Sequence, residues 1–187
     1  INAKVIAFEP QTKCLEYLNK INNTRFAYYP FGVGDKNETK QLHLANHLEV
    51  ATFSNKMIDF YTTENLKWKD KEEVIIKKID TLINEFGVPD FCKIDTEGFE
   101  LEILSNLSYK IPVIEFEFNE AFIDETLSCL HSINNLGNYK FNFILKKNPK
   151  FINKKWNGMK EIKKQISNLP TKHLHGNLFA KLNQYNS

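Results

Sequence analysis

Carboxylates recur in this chain directly after, or within, short apolar runs. Glu9 follows Val5-Ile-Ala-Phe8, and Asp35 follows Gly32-Val-Gly34. Asp95 and Glu97 follow Phe91-Cys-Lys-Ile94, and Glu115 and Glu117 belong to the run that opens at Pro112. If the runs are strands of a mostly parallel sheet, these acids stand at strand carboxyl ends, where open α/β sheets bind ligands. A carboxylate is an acceptor with two oxygens, so it can take both hydroxyls of a ribose. It can also take the proton of a hydroxyl nucleophile as a general base. The competing reading is that each acid caps the helix that follows, where the helix dipole favours negative charge. Four in succession at equivalent strand ends favour a site.

Other chemistry-bearing residues are weaker. His43 and His47 have a spacing that zinc can use on a helix face, but no Glu follows His43 and the region reads as strand; no metal site is assigned. Cys14, Cys92 and Cys129 form no Cys-x-x-Cys pair and sit among apolar neighbours, so they read as core packing in a reducing, cytoplasmic setting. Lys146, Lys147, Lys150, Lys154, Lys155, Lys160, Lys163 and Lys164, with Phe151 and Trp156, are the one locally basic stretch. Basic residues interleaved with aromatics can follow a nucleic-acid backbone. Here Ile162, Ile166 and Leu169 instead mark a helix whose apolar face packs, leaving the lysines as its solvated face.

The elements that must hold the acids alternate between strand and helix, the pattern of a sheet flanked by helices. Residues 4–8 read as a buried strand, and Cys14, Leu15, Leu18 and Ile21 as one face of a helix. Residues 25–31 form a second β run, closed by a turn at residues 32–35. Residues 40–78 break the pattern as an excursion, a hairpin or lid, with strands at 41–44 and 74–79. Asp80 or Thr81 should cap a helix over 82–86 that stops at Gly87. A strand at 91–94, a helix carrying Phe99, Ile103, Leu104 and Leu107, a strand at 112–116 and a helix at 120–133 follow. Strands at 141–145 and 178–182 close the chain. The whole reads as a single domain, residues 1–187.

Four segments in this order, Val5-Ile-Ala-Phe-Glu-Pro10, Phe31-Gly-Val-Gly-Asp35, Ile79-Asp-Thr-Leu82 and Lys93-Ile-Asp-Thr-Glu-Gly-Phe-Glu100, resemble the FkbM-type methyltransferases, as does Gly176-Asn-Leu-Phe179. The resemblance runs from Val5 to about Leu182, loosest over 45–73 and 146–173. It implies a Rossmann-like class I fold with a doubly wound, mostly parallel sheet, S-adenosylmethionine as cofactor, and methyl transfer to a hydroxyl oxygen of a sugar, glycan or other small molecule. It also implies a first strand and glycine loop ahead of Val5 that this chain lacks. Carried over by position, Glu9 would hold the ribose hydroxyls, Gly34 and Asp35 would lie beside the adenine, and Asp95 and Glu97 would face the methionine end and the acceptor. Glu97 is the first choice as general base, Glu117 the second, and His173 or His175 the third.

Composition narrows the alternatives. The 187 residues suffice for one domain with a substantial core, and 42% are apolar. Net charge is +2, from 25 Lys and Arg against 23 Asp and Glu, which gives no general attraction to a polyanion. No run approaches the length of a membrane span, and no cationic region leads into an apolar stretch at the start, so no signal peptide is expected. The expected partner is a small-molecule or glycan acceptor, without nucleic acid; the sequence sets no oligomeric state. A nucleic-acid methyltransferase docking through the lysines, and a non-catalytic Rossmann-like binding module, stay open as alternatives. The first lacks the Asn/Asp-Pro-Pro-aromatic tetrapeptide of enzymes that methylate nucleic-acid amino groups.

Overall fold

A computed structural model describes residues 2–146, 148, 150–170, 172 and 174–183. Lys147 and His173, named above in the basic stretch and among the candidate bases, lie outside the described residues.

The chain alternates as expected through its first part: β1 (Val5–Phe8), α1 (Thr12–Leu18), β2 (Phe26–Tyr29) and β3 (Gly32–Gly34). Residues 32–34 form a short strand parallel to residues 76–78 rather than a turn, because Gly32 and Gly34 let the backbone lie against Ile76. The excursion is an antiparallel hairpin of β4 (Glu38–Ala45) and β5 (Trp68–Lys78), with a 3-10 turn at Leu48–Val50 and α2 (Asn55–Tyr61) between its arms. His43 lies on β4 and His47 beyond its end, so the two share no helix face.

Next comes α3 (Ile79–Phe86), which opens at Ile79 rather than Leu82. Asp80 therefore stands inside the first turn instead of capping it, and its carboxylate accepts from the Ser108 N–H at 3.0 Å. β6 (Phe91–Ile94), α4 (Glu100–Leu104), β7 (Val113–Asn119), α5 (Ile123–Leu136), β8 (Tyr139–Leu145), α6 (Met159–Ser167) and β9 (His175–Leu182) complete the order.

The strands hydrogen-bond as three separate sheets, β1-β2, β3-β5-β4 and β6-β7-β9-β8, in place of one mostly parallel sheet. β1–β2, β3–β5 and β6–β7 are parallel, while β4–β5, β7–β9 and β8–β9 are antiparallel and longer. In β7 the sequence alternates, so Ile114, Phe116 and Phe118 are buried while Glu115 and Glu117 project from the opposite face. The apolar face packs under α4, α5 and α6 in one core that includes Ile103, Leu130, Phe141, Ile162, Ile166 and Leu178. Ile162 and Ile166 are almost wholly buried while Lys160, Lys163 and Lys164 are exposed, as expected of a helix with one packed face. No helix among the described residues is long and apolar enough to cross a membrane.

One buried polar contact ties the strand-to-helix layer to the sheet. The Tyr139 hydroxyl donates to the Ile111 carbonyl at 2.8 Å and accepts from the Ile111 N–H at 3.0 Å. Tyr139→Phe leaves both backbone groups buried and unpaired, at a cost of about 1–3 kcal/mol. Urea denaturation should show a lower midpoint with an unchanged slope; an unchanged midpoint would show that these two bonds contribute nothing net.

Candidate active site

The loop between β6 and α4 carries Asp95, Thr96, Glu97 and Gly98, and a buried carboxylate holds its shape. Glu100, in the first turn of α4, accepts from the Thr96 N–H at 2.8 Å and the Thr96 hydroxyl at 3.0 Å on one oxygen. Its other oxygen accepts from the Gly98 N–H at 3.1 Å. Burial pushes the Glu100 carboxyl up to about 7, against these bonds, which favour the charged form. The sequence reading placed Glu100 in the motif but gave it no role; its signal was a carboxylate four residues after a polar strand end.

Two backbone conformations show what that bracing sustains. Glu97 has φ 52°, a left-handed conformation that a side-chain-bearing residue adopts at some cost. Gly98 has φ 94°, and a Cβ there would stand 2.5 Å from the Phe122 ring. Thr52, in the excursion, locks the loop from outside by donating its hydroxyl to the Glu97 carbonyl at 2.7 Å.

The loop brings together three residues that the sequence placed in the site. Carboxylate oxygens of Asp95, Glu97 and Glu117 all lie within 4.8 Å of one another. That spacing suits a divalent cation as ligand set, and equally a ligand that donates several hydrogen bonds. Glu117 is paired with the imidazole of His175, so the third-choice base is a partner of the second. Lys93 donates to Asp95 at 2.5 Å. Burial alone would lower the Lys93 ammonium, but the bond to Asp95 and the charges of Glu115 and Glu117 outweigh it and hold it above its usual range. Burial pushes the Glu97 carboxyl up to about 8, and the charges of Glu117, Asp95 and Glu100 add to the rise. Near neutrality Glu97 thus holds its proton most of the time.

The remaining residues stand on other elements. Glu9, at the carboxyl end of β1, is half-buried, and one of its oxygens accepts from the Gln11 N–H at 2.8 Å. Its second oxygen has no hydrogen-bond partner among the described residues. Burial raises its carboxyl above the usual range. Gly34 is buried, and a Cβ there would lie 2.7 Å from Ile76 and 3.2 Å from Phe99, so packing alone requires glycine at this position. Asp35 follows it at the end of β3. Glu115 is engaged structurally, accepting from the Asn177 amide at 3.0 Å.

The family model described as Methyltransferase FkbM domain matches residues 2–155, and the chain belongs to that family. The match stops short of α6 and β9, so His175 comes from outside it. Neither the curated proteins nor the solved structures compared with the chain give a match.

The raised carboxyls have a thermodynamic consequence. Between the ordinary value of 4.5 and about 8 the folded chain holds a proton on Glu97 that the unfolded chain has lost. Stability is therefore fullest below that window and falls as pH rises through it. Glu97→Gln should flatten the fall, leaving a smaller decline that ends near the Glu100 value of about 7. Denaturant titrations from pH 5 to 9, as orders of magnitude in proton activity, would check this; parallel profiles for the two proteins would place Glu97 in a solvated setting.

Proposed function

We propose that this FkbM-family chain transfers a methyl group from S-adenosylmethionine to a hydroxyl oxygen of a sugar, glycan or other small molecule, with the 95–98 loop and Glu117 at the acceptor end. The observation that carries the reading is the convergence of Asp95, Glu97 and Glu117 at the carboxyl ends of the parallel pair β6–β7. A Rossmann-like class I arrangement is supported by the placing of acids at parallel strand ends, Glu9 after β1 and Asp95 after β6.

The carboxylate acceptors suit the hydroxyls and ammonium of the cofactor. Glu9 has one carboxylate oxygen tied to Gln11 and the other available to the ribose hydroxyls, while Gly34 and Asp35 would border the adenine and Asp95 the methionine end. When bound, the cofactor supplies an activated methyl group on a sulfonium. The chain's part is orientation and proton handling. The braced loop fixes the carboxylates, so an acceptor hydroxyl donating to them is held in one direction, and such alignment is worth several orders of magnitude in rate. A hydroxyl is a poor nucleophile until its proton is taken, and Glu97 is the first candidate to take it. With a carboxyl near 8, Glu97 is a stronger base than an ordinary carboxylate but is ionised fully only in alkaline solution. Glu117, oriented by His175, is the second candidate.

Two measurements divide these roles. Glu9→Ala should weaken S-adenosylmethionine binding at least about tenfold in calorimetry, the equivalent of losing one hydrogen bond to a charged acceptor. An unchanged affinity in a folded variant removes Glu9 from the site. Separately, the transfer rate should climb with pH up to about 8. Glu97→Gln should abolish that limb and lower turnover roughly a hundredfold while the cofactor affinity holds. If affinity collapses together with rate, Glu97 belongs to the cofactor's surroundings instead.

A further inference from the structure

The segment between β8 and α6 is fastened to the sheet yet leaves apolar side chains in water. Phe141 and Asn157 exchange both of their backbone hydrogen bonds, at 2.7 and 2.9 Å, and the Ile152 N–H donates to the Phe143 carbonyl at 2.9 Å. Asn142, almost wholly buried on β8, donates its side-chain amide to the Asn153 carbonyl at 2.8 Å and accepts from the Asn153 N–H at 3.2 Å. The Asn153 amide in turn donates to Gln165 of α6 at 2.9 Å. Residues 152–157 are thereby held along the outer edge of β8. Phe151 packs against Trp156 and, edge-on, against Phe179, with ring centroids 5.3 and 5.1 Å away. Even so, Phe151 is 44% exposed and Ile152 beside it 49%. Lys146, Lys150, Lys154 and Lys155 lie exposed on either side of them in the chain, and their ammonium groups have no partner among the described residues. From 146 to 160 the chain has six lysines and no acid, while the whole carries only +2.

A lone exposed apolar residue needs no explanation. Two adjacent ones on a braced segment, flanked on both sides by unpaired cations, make a face with a chemical complement: anionic headgroups over hydrocarbon. We propose that residues 150–156 dock the chain on the surface of a bilayer containing anionic phospholipid, with Phe151 and Ile152 entering the headgroup boundary and Lys146, Lys150, Lys154 and Lys155 lying against the lipid charges. Aromatic rings settle at that boundary, and lysine stems reach along it while the ammonium stays among the headgroups. Attachment of this kind needs no spanning helix. Nucleic acid is the poorer match. The Ile152 side chain has no face to stack on a base and no hydrogen bond to give one; its gain comes from leaving water. The Phe151 ring is already packed against two others, where base stacking asks for an open platform. The arginine fork that holds a phosphate by two bonds is missing, since Arg25 is the chain's one arginine. Lysine point charges suffice for the diffuse field of an anionic surface. The docking is independent of the methyl-transfer reading.

The test is co-sedimentation of the chain with vesicles of phosphatidylcholine alone and of equal parts phosphatidylcholine and phosphatidylglycerol, at physiological salt. The chain should partition onto the anionic vesicles and leave the neutral ones, and added salt should weaken the partition. Lys154→Gln and Lys155→Gln should each lower the partition coefficient about fivefold. Ile152→Ser should lower it by a similar factor, through the apolar area it removes. All three side chains are exposed, so the variants keep the fold, which circular dichroism checks. Equal partition onto both kinds of vesicle, none onto either, or partition that Ile152→Ser or the two lysine variants leave unchanged overturns the proposal. So does capture of a single-stranded DNA oligonucleotide, weakened by Lys154→Gln, in place of the vesicles.

Discussion

The Glu100 carboxylate, almost entirely buried at the start of α4, is the contact on which the candidate site depends. Three hydrogen bonds from Thr96 and Gly98 converge on it, and they bend the chain after β6 into a shape that a free loop would not keep. Glu97 is held at positive φ because the residues on both sides of it are fastened to the same side chain. Strain at one residue is sustained when its neighbours over-determine the backbone, and that is the condition here. The core beneath supplies the rest: Phe99, Ile103 and Leu104 anchor α4, so Glu100 cannot withdraw without lifting apolar surface into water.

Bracing the loop with an acid concentrates negative charge, and the structure manages it unevenly. Asp95 is offset by Lys93 and Glu117 by His175, while Glu97 has a like-charged neighbour on each side. The excursion is drawn into the same arrangement. Its hydroxyl from Thr52 donates to the Glu97 carbonyl and so fastens the loop without adding charge. An insertion that looked separate from the site is in this sense part of what holds its loop.

Much of this was legible in the sequence, and the reasons differ by element. The strands β1 and β6 announced themselves as short apolar runs, and α6 by Ile162 and Ile166 at a four-residue spacing. The acids at strand ends led to Asp95, Glu97 and Glu117, which the fold brings within one ligand's reach. What could not be read was pairing direction. An isolated strand carries no sign of whether its neighbour runs with or against it, so the antiparallel β9, lying between β7 and β8, stood outside the expectation of a mostly parallel sheet. The alternation Ile114-Glu115-Phe116-Glu117-Phe118 did carry the information that one face of β7 is polar. Thr52 was invisible for another reason: its role depends on a hairpin folding back over a loop far along the chain, and nothing local encodes that docking.

Gly34 illustrates how a motif can mislead about cause. The resemblance placed it beside an adenine, and a glycine near a ligand invites the explanation that the ligand needs the space. In the structure the space is already taken by Ile76 and Phe99. Phe99 follows the loop that Glu100 braces, so the glycine lets β3 approach the candidate site closely enough for that ring to pack. The residue would then be required whether or not a cofactor touches it. Its link to function runs through the position of α4: a side chain at Gly34 would press on Phe99, and through it shift the backbone that presents Glu97.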